Sequence, residues 1–458
     1  MGDMSSGSEH SQEIEAQYRA AEAELLQRWP ETRIEPSLDR ITAIMDVLGE
    51  PQRAYPSIHI TGTNGKTSTA RMADALLREL NLRTGRTTSP HLAEIRERIC
   101  VDGEPISRER FTEVYRELLP YAELVDARQP FPLSFFEMTT AMAYAAFSEA
   151  PVDVAVIEVG LGGTWDSTNV IDAQVAVVTP ISLDHTHLLG DNVRDIAEEK
   201  AGIIKPGAVA VLAQQPVDAA EVLIRRASEV GATVAREGLE FGVVERQLAV
   251  GGQQLTIKGL SQEYTDLYLP LHGAHQAGNA ACAIAAVEAF LGAGQGGGTL
   301  DPDVVRAAFA KVSSPGRLEV IRHNPAVILD AAHNPGGAAA TAQAISEEFT
   351  FEHLVGVFAA MKDKDVRAVL EAFEPVVDEI VVTRNSTLRS MPVEELAALA
   401  EDVFGEDRVI AVERLDDAID HALALAEAGV PDPSLGGAGV LVTGSVVTAG
   451  DAGRLLRG

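Results

Sequence analysis

The chain has 458 residues, of which 37 are Lys or Arg and 68 are Asp or Glu, giving a formal net charge of -31 at pH 7. This length exceeds the size at which one hydrophobic core usually stops growing, so we expect two domains. The negative field repels nucleic acid and anionic membrane surfaces and argues against both as partners. A site for anionic substrates must then be a local positive island of metal ions, helix N-termini and a few Lys or Arg residues.

The cysteines, the first residues and the least charged long stretch indicate a cytoplasmic protein. Cys100 and Cys282 are its only cysteines, and a chain of this size needs no disulfides, which suits a reducing compartment. Residues 1–12 are polar and lack the basic start and apolar core of a secretory signal, so we expect a disordered leader there. The stretch 273–293 is Ala-rich but contains Glu288 and other polar residues, so we expect a buried helix rather than a membrane span.

The apolar pattern of the first 180 residues predicts an α/β domain. Helical spacing predicts helices over 13–29 and 38–48. A short apolar strand over 57–61 is followed by a Gly-rich turn and a helix. The apolar runs at 152–159 and 175–179 are typical of strands buried on both faces of a parallel sheet. Because helical segments fall between these strands, we expect an α/β fold.

The same alternation starts again near residue 320 and predicts a second, smaller Rossmann-like domain. The pattern predicts strands at 326–329, 354–358, 380–383, 409–412 and 440–442, and helices at 394–401 and 416–427. We place the boundary after residue 313, which gives a first domain over 13–313 and a C-terminal domain over 314–458. The Gly-rich segment 292–298 is a competing linker, but we interpret it as a connection between two helices of the first domain.

The segment after the strand at 57–61 has the composition of a phosphate-binding loop. It reads Thr61-Gly62-Thr63-Asn64-Gly65-Lys66-Thr67-Ser68. Backbone N–H groups of such a turn can wrap phosphate oxygens, Lys66 supplies a positive charge, and the Thr67 hydroxyl can ligate magnesium. The usual P-loop has Gly where this chain has Ile60, so the match is to a shortened Gly-x-x-Gly-Lys-Thr form. A bare Gly-Lys-Thr can be only a helix-capping turn, but the strand before it and the helix after it favour nucleotide binding.

Candidate metal ligands follow the next two strands. Glu158 interrupts an apolar run, and a charge on a buried strand is costly unless it is paired or bound to metal. His185 follows the strand that ends at Pro180, and a neutral imidazole there could bind a metal ion. In an open α/β sheet both positions lie at the carboxyl edge, where ligands bind. Taken alone, each of the two residues could be functional or structural, and we interpret His187 as structural or exposed.

Further motifs, taken in chain order, match one known family. The matching stretches are 61–67, 88–92, 158–163 with 166–169, 184–185, 199–205, 275–279, 315–317 and 330–335. Together they resemble the Mur ligase superfamily and, within it, the folylpolyglutamate synthase and dihydrofolate synthase family, from about residue 35 to the end of the chain. The loop Thr88-Ser89-Pro90-His91-Leu92 and the run Glu199-Lys200-Ala201-Gly202-Ile203-Ile204-Lys205 are more similar to the folate branch than to the cell-wall branch.

The resemblance implies a P-loop ATPase domain followed by a smaller Rossmann-like domain. It implies a cytoplasmic, monomeric, ATP-dependent ligase that adds L-glutamate to dihydropteroate and to tetrahydrofolate or folylpolyglutamates through an acyl phosphate. The first domain would bind ATP and the folate, and the C-terminal domain would bind glutamate and contact the nucleotide. Two magnesium ions would serve as cofactors.

Residue roles carry over from the same resemblance. The implied ATP contacts are Thr63, Asn64, Gly65, Lys66, Thr67, Ser68, Asn279, Arg317, Asp330 and His333. The implied magnesium ligands are Thr67, Glu158, His185 and Lys200, the last commonly carbamylated in the family, and the implied catalytic residues are Lys66, Lys200 and His185. Without the resemblance, Asn279 would be interpreted as a helix-packing amide and Lys200 as a solvated lysine. Arg317 would be a surface charge and Asp330 the cap of the next helix.

The resemblance also implies contacts with the organic substrates. Ser89, Pro90, His91, Phe136 and Glu137 would contact the folate or pteroate, and Ser445 the glutamate. Phe136 could pack against a flat pterin or benzoyl ring. From the residues alone, Phe135 and Phe136 would be core side chains, and Ser134 with Glu137 would form a capping box. The two interpretations can hold for different side chains.

Two other functions stay open at this point. A peptidoglycan-precursor ligase of the same superfamily would prefer a UDP-linked peptide as acceptor. A P-loop NTPase that acts as a switch would bind and hydrolyse nucleotide without making an amide. A ligase, unlike a switch, should release ADP only when both acceptor and amino acid are present.

Overall fold

The computed structural model describes residues 4–30, 33, 35–293, 296–431 and 437–457. These residues form two α/β domains, each built on a mostly parallel sheet. The structure also contains one small antiparallel sheet. The expected architecture, a larger N-terminal α/β domain followed by a smaller Rossmann-like one, is confirmed.

The first domain is built on one large sheet. Its strands are β1 (Ser57–Thr61), β2 (Thr84–Thr87), β3 (Cys100–Val101), β4 (Glu104–Pro105), β5 (Val154–Glu158), β6 (Val175–Val178), β7 (Val209–Leu212) and β8 (Thr233–Arg236). The strand order is β4-β3-β2-β5-β1-β6-β7-β8, with β3 antiparallel to both of its neighbours and the remaining pairs parallel. Its helices are α1 (Met4–Leu26), α2 (Asp39–Val47), α3 (Lys66–Glu79), α4 (Arg108–Asp126), α5 (Phe135–Glu149), α6 (Thr186–Leu189), α7 (Val193–Ala201), α8 (Val217–Val230), α9 (Ala274–Phe290) and α10 (Pro302–Phe309).

The three central strands β5, β1 and β6 position the candidate site. All three are buried at every position, as strands covered by helices on both faces must be. Ile60 pairs with Glu158 and Thr61 pairs with Val178, so the three strands end at the same edge of the sheet. The phosphate loop, Glu158 and the segment that leads to His185 therefore lie side by side.

A small antiparallel sheet separates the large sheet from the Ala-rich helix in sequence. It consists of β9 (Gly242–Ala249), β10 (Gly252–Lys258) and β11 (Glu263–Leu269) in the order β11-β10-β9. The sequence pattern did not predict it, because every residue of β9 is exposed or half-buried and the strand has no buried apolar run. The buried helix expected over 273–293 is confirmed as α9.

The N-terminus differs from expectation. Helix α1 begins at Met4, so the predicted disordered leader is wrong for residues 4–12, while residues 1–3 lie outside the described part of the chain. Ion pairs one helical turn apart, such as Arg19 with Glu15, stabilise the helix. The low helix propensity of Ser and Gly is a weak preference that regular helical neighbours can override.

The C-terminal domain has a second mostly parallel sheet. Its strands are β12 (Glu319–His323), β13 (Ala326–Leu329), β14 (His353–Phe358), β15 (Glu379–Val382), β16 (Val409–Ala411) and β17 (Ala438–Thr443), in the order β12-β13-β17-β14-β15-β16. Its helices are α11 (Pro335–Glu348), α12 (Val366–Phe373), α13 (Val393–Phe404), α14 (Leu415–Ala428) and α15 (Val446–Arg457). Only β12 runs antiparallel to its neighbour. The strands predicted from residue 326 onward are confirmed to within two residues at either end. Within the described ranges, no helix combines the length and the apolar composition needed to cross a bilayer.

Candidate active site

The phosphate loop, residues 62–67, connects β1 to α3 and requires glycine at two positions. Gly62 and Gly65 have φ values of 141° and 88°. A Cβ atom would overlap the side chain of Thr179 at Gly62 and that of Asn279 at Gly65. Lys66 folds back on the loop and donates hydrogen bonds from Nζ to the carbonyl oxygens of Gly62 (3.0 Å) and Thr63 (3.1 Å). Its ammonium group therefore lies inside the turn.

Thr67 and Glu158 meet at the start of α3. The Thr67 hydroxyl lies 2.8 and 3.0 Å from the two carboxylate oxygens of Glu158, and the Ser89 backbone N–H donates to the same carboxylate at 3.3 Å. Burial raises the pKa of Glu158, while the nearby charge of Lys66 lowers it. Burial lowers the pKa of Lys66, and Glu158 opposes that shift. A hydroxyl beside a buried carboxylate is a set of oxygen donors that fits magnesium.

Lys200 reaches the same loop from α7. Its side chain is buried, and Nζ donates to the Gly62 carbonyl oxygen at 2.9 Å. Burial, reinforced by the charge of Lys66, lowers the pKa of Lys200 to about 7. The interpretation of Lys200 as a solvated lysine is therefore wrong, and a substantial fraction of its amine is neutral near neutral pH.

His185 has a left-handed backbone conformation, with φ of 50°. Burial lowers its pKa to about 3, although the carboxylate of Asp184 opposes the shift, so the imidazole is neutral and can act as a ligand. Lys364 Nζ lies 3.2 Å from its Nε2 atom. Among the described residues no group of three or more His, Cys, Asp and Glu side chains could hold a metal ion. The magnesium site therefore remains a prediction, with the expected ligands Thr67, Glu158, His185 and Lys200.

Asp184 joins the two domains. Its Oδ1 atom accepts from Lys364 Nζ at 2.6 Å, and its Oδ2 atom accepts from Asn334 Nδ2 at 3.0 Å and lies 3.5 Å from His333 Nε2. Burial alone would raise the pKa of Asp184, but His333 and the ammonium group of Lys364 hold it well below its usual range. Asn334 also exchanges two hydrogen bonds with Asn64 of the phosphate loop, at 3.0 and 3.2 Å.

The expected nucleotide contacts line one cavity of about 740 Å³ between the domains. They are Thr63, Asn64, Gly65, Lys66, Thr67, Ser68, Asn279, Arg317, Asp330 and His333, joined by Glu158, His185 and Lys200. The Asp330 carboxylate is buried and accepts from Leu318 N, Ala332 N and Thr341 Oγ1, each at 2.9 Å. The interpretation of Asp330 as the cap of the next helix is wrong, because Asn334 caps α11.

A second cavity, of about 350 Å³, holds most of the expected contacts with the organic substrates. Ser89, Pro90, Phe136, Glu137 and Ser445 line it. Phe136 covers the backbone of Gly160, where a Cβ atom would lie 2.7 Å from the ring atom Cε1. His91 lines neither cavity, and its Nδ1 accepts from Arg98 Nε at 3.0 Å.

Two of these lining residues also have structural partners. Glu137 forms an ion pair with Arg40 at 3.0 Å. It also forms the capping box with Ser134 that was one of the two interpretations of this segment. The Ser445 hydroxyl accepts from Asn385 Nδ2 at 3.1 Å and from Thr448 N at 3.0 Å, and lies 2.7 Å from Thr448 Oγ1. All hydrogen-bonding capacity of that hydroxyl is therefore used within the C-terminal domain.

The two cavities share one wall. Its residues are Ser89, Pro90, Gly160, Leu161, His185, His333 and Val446. The two cavities are therefore adjacent and meet at these residues.

Two family models match the chain, the Mur ligase middle domain over residues 133–287 and the Mur ligase glutamate ligase domain over residues 316–446. The dihydrofolate synthase/folylpolyglutamate synthase of Mycobacterium tuberculosis is 55% identical over 447 residues, covering 94% of this chain and 92% of that one. The chain belongs to the folylpolyglutamate synthase and dihydrofolate synthase family of Mur ligases. As a member of this family it is an ATP-dependent ligase.

Solved structures share the fold of this ligase. The M. tuberculosis folylpolyglutamate synthase complexed with ADP superposes with a TM-score of 0.92 at 54% identity, covering 97% of this chain and 99% of that one. A folylpolyglutamate synthase complexed with AMPPCP and folate superposes with a TM-score of 0.80 at 31% identity, covering 96% of this chain and all of that one (100%).

Sequence reasoning missed several residues of the ligase site. Lys364 contacts both Asp184 and His185, and the aromatic residues Trp29 and Trp165 line the second cavity. The local signal for Lys364 was the charged run 362–364, which follows three apolar residues after the end of β14, since in parallel sheets ligands bind beyond the strand ends.

Proposed function

We propose that this ligase joins L-glutamate to dihydropteroate and to reduced folates, with ATP as the activating substrate. The shared wall of the two cavities carries the proposal. It allows the carboxylate of an acceptor in the second cavity to meet the γ-phosphate of a nucleotide in the first. The sequence features of the folate branch favour this acceptor over a UDP-linked peptide.

The reaction has two steps. An oxygen of the acceptor carboxylate attacks the γ-phosphorus of ATP, the bond from that phosphorus to the bridging oxygen breaks, and ADP leaves as the acyl phosphate forms. The neutral amino nitrogen of glutamate then attacks the acyl carbon, inorganic phosphate leaves, and the nitrogen loses one proton. Backbone N–H groups of the phosphate loop and the charge of Lys66 stabilise the phosphoryl oxygens in the first step.

Four residues would hold two magnesium ions in this site. Thr67 and Glu158 supply oxygen donors, and neutral His185 supplies a nitrogen donor. The Lys200 amine can add carbon dioxide, forming an N–C bond and losing a proton, which turns it into a carboxylate-like ligand. Magnesium, when bound, would neutralise the charge shared between the γ-phosphate and the acceptor carboxylate.

The organic substrates are assigned to opposite walls of the second cavity. Phe136, Ser89 and Pro90 would contact the pterin and benzoyl rings from the first domain. Glutamate would dock on the C-terminal domain, where Ser445 holds the start of α15 in place through its hydrogen bonds. A folylpolyglutamate synthase that is 31% identical to this chain forms a complex with AMPPCP and folate, which supports a nucleotide and a folate as substrates of this ligase.

We further propose that the ligase works as a monomer in the cytoplasm. Residues of one chain line both cavities from both domains, and Cys100 and Cys282 form no disulfide. Light scattering in solution tests the oligomeric state.

The proposal is tested by ADP release from purified protein with ATP and magnesium. Dihydropteroate, tetrahydrofolate and a UDP-muramoyl peptide are compared, each with and without glutamate. We expect ADP only when a folate-type acceptor and glutamate are both present. Turnover with the muramoyl peptide but with neither folate-type acceptor would assign the protein to the cell-wall branch. Hydrolysis of ATP without glutamate would indicate an NTPase switch.

A further inference from the structure

The loop at 88–92, which we call the Ser89 loop, lies at one end beside Glu158 and the wall shared by the two cavities. It leaves the sheet after β2 and carries two residues of the wall shared by both cavities, Ser89 and Pro90. The Ser89 backbone N–H donates to Glu158 at 3.3 Å. Any displacement of this loop moves the wall against which acceptor and nucleotide meet.

The other end of the same loop packs against the C-terminal domain. Gly450 in α15 lies directly against the main chain of Leu92, where a Cβ atom would overlap the carbonyl oxygen and lie 3.1 Å from the carbonyl carbon. A Cβ atom on Gly316 would lie 3.2 Å from the Leu92 side-chain atom Cδ2. Glu97 of the first domain accepts from Leu92 N at 2.9 Å. Leu92 therefore contacts both domains.

The two C-terminal segments that hold Leu92 also reach the cavities. Arg317, the neighbour of Gly316, lines the nucleotide cavity. Val446, one helical turn before Gly450, lies in the shared wall. A movement of the C-terminal domain would therefore shift Leu92 and these cavity residues together.

We propose that Leu92 is a positioning residue: its main chain packs against Gly450 and its side chain lies beside Gly316, and these contacts set Ser89 and Pro90 at the shared wall when the two domains close. This inference rests on the proposed function, because it assumes that the carboxylate is activated at that wall. Nucleotide binding on the phosphate loop does not require the contact, since Leu92 lines neither cavity. The contact therefore acts on kcat and on coupling rather than on nucleotide affinity.

Gly450→Ala tests the contact, with Gly453→Ala as the matched control in the same helix. The atoms nearest to a Cβ atom at Gly453 are the side-chain atoms Arg457 Nη1 at 3.3 Å and Leu329 Cδ1 at 3.4 Å, and small side-chain shifts can relieve these contacts. The clash at Gly450 is with backbone, so the loop or the helix must move. Because misplacements of about 1 Å can cost roughly a hundredfold in rate, we expect Gly450→Ala to lower kcat at least about tenfold. KM for ATP should match that of Gly453→Ala, and the loss of kcat should exceed what any fall in melting temperature explains.

A second variant, Leu92→Ala, tests the other contact: it removes the side chain that lies beside Gly316 and leaves the main-chain contact with Gly450 in place. We expect it to raise the amount of ADP released per amide formed, whereas Leu92→Met should restore the parent ratio. If Gly450→Ala and Leu92→Ala both keep the parent kcat and coupling ratio, or lose them only in proportion to a fall in melting temperature, the inference is overturned. Failure of the proposed function would look different, since the parent itself would then form no amide with a folate-type acceptor.

Discussion

Lys364 Nζ lies 2.6 Å from Asp184 Oδ1, across the boundary between the two domains. The same ammonium group lies 3.2 Å from His185 Nε2. Both partners are largely buried, and Asn334 shares the Asp184 carboxylate. The C-terminal domain thus supplies the charge that balances Asp184 beside the expected metal ligand.

Replacing Lys364 should affect the reaction more than nucleotide binding. Removing one partner of a buried ion pair leaves the other charge uncompensated and costs about 3–5 kcal/mol. In Lys364→Met we therefore expect kcat to fall at least about a hundredfold, with the closed arrangement of the domains destabilised. Affinity for ADP, measured by calorimetry, should change only a few fold. The exposed Lys362→Met is the matched control, and equal activity in both variants would contradict this role.

Adjacent aromatic residues on α5 allow substrate binding to be separated from stability. Phe135 is buried in the core, whereas Phe136 is half-buried and lines the second cavity. Phe136→Ala should raise KM for the pteroate or folate acceptor about tenfold, because burial of an aromatic ring against a ligand contributes roughly 1.5–3 kcal/mol. Phe135→Ala should instead lower the free energy of unfolding by about 3–5 kcal/mol. Steady-state kinetics and urea unfolding distinguish the two, and an unchanged acceptor KM in Phe136→Ala would argue against the acceptor site.

The hydroxyl of Ser445 is expected to stabilise the fold rather than to bind glutamate. Because it accepts from Thr448 N in the first turn of α15, Ser445→Ala should lower stability by about 1–2 kcal/mol. KM for glutamate should change little, and Ser445→Thr should keep most of the stability. A rise in glutamate KM without a change in melting temperature would instead indicate direct contact with the substrate.

Much of the fold and part of the site could be predicted from the sequence. The strands β5 and β6 are buried on both faces, so their runs 154–157 and 175–178 are apolar throughout and visible in the sequence. Glycine in the phosphate loop is required by positive φ values, which makes the motif recognisable in the sequence. These features are local.

The remaining features depend on distant parts of the chain. Lys364 and Asp184 are 180 residues apart in the sequence, and Asn334 and Asn64 are 270 residues apart. No local sequence pattern therefore predicts either contact. The contact of Ser445 with Asn385 was likewise invisible in the sequence, because the two side chains meet only when two C-terminal strand ends come together. Contacts of this kind follow from how the elements pack.

A buried histidine beneath the site should make stability depend on pH. His59 is fully buried, its Nε2 lies 2.9 Å from Thr168 Oγ1, and burial, aided by the charge of Lys205, lowers its pKa to about 3. The unfolded chain binds the proton near pH 6.5 but the native chain does not, so stability falls with decreasing pH between about 6.5 and 3.

The slope should be about 1.4 kcal/mol per pH unit for this one group. Compared with His59→Gln, the parent should therefore lose about 2 kcal/mol more of its unfolding free energy between pH 7 and pH 5. Urea unfolding of both proteins over that range measures the difference. Parallel pH profiles would mean that His59 is protonated in the native state or does not contribute.

The most direct measurement is ADP release by the parent, Lys66→Ala and Glu158→Gln with a folate-type acceptor and glutamate. If the phosphate loop holds ATP while its γ-phosphate passes to the acceptor carboxylate beside Glu158, each variant should lose at least about a hundredfold in kcat. Both should stay folded by circular dichroism. Variants that turn over as fast as the parent would contradict the account.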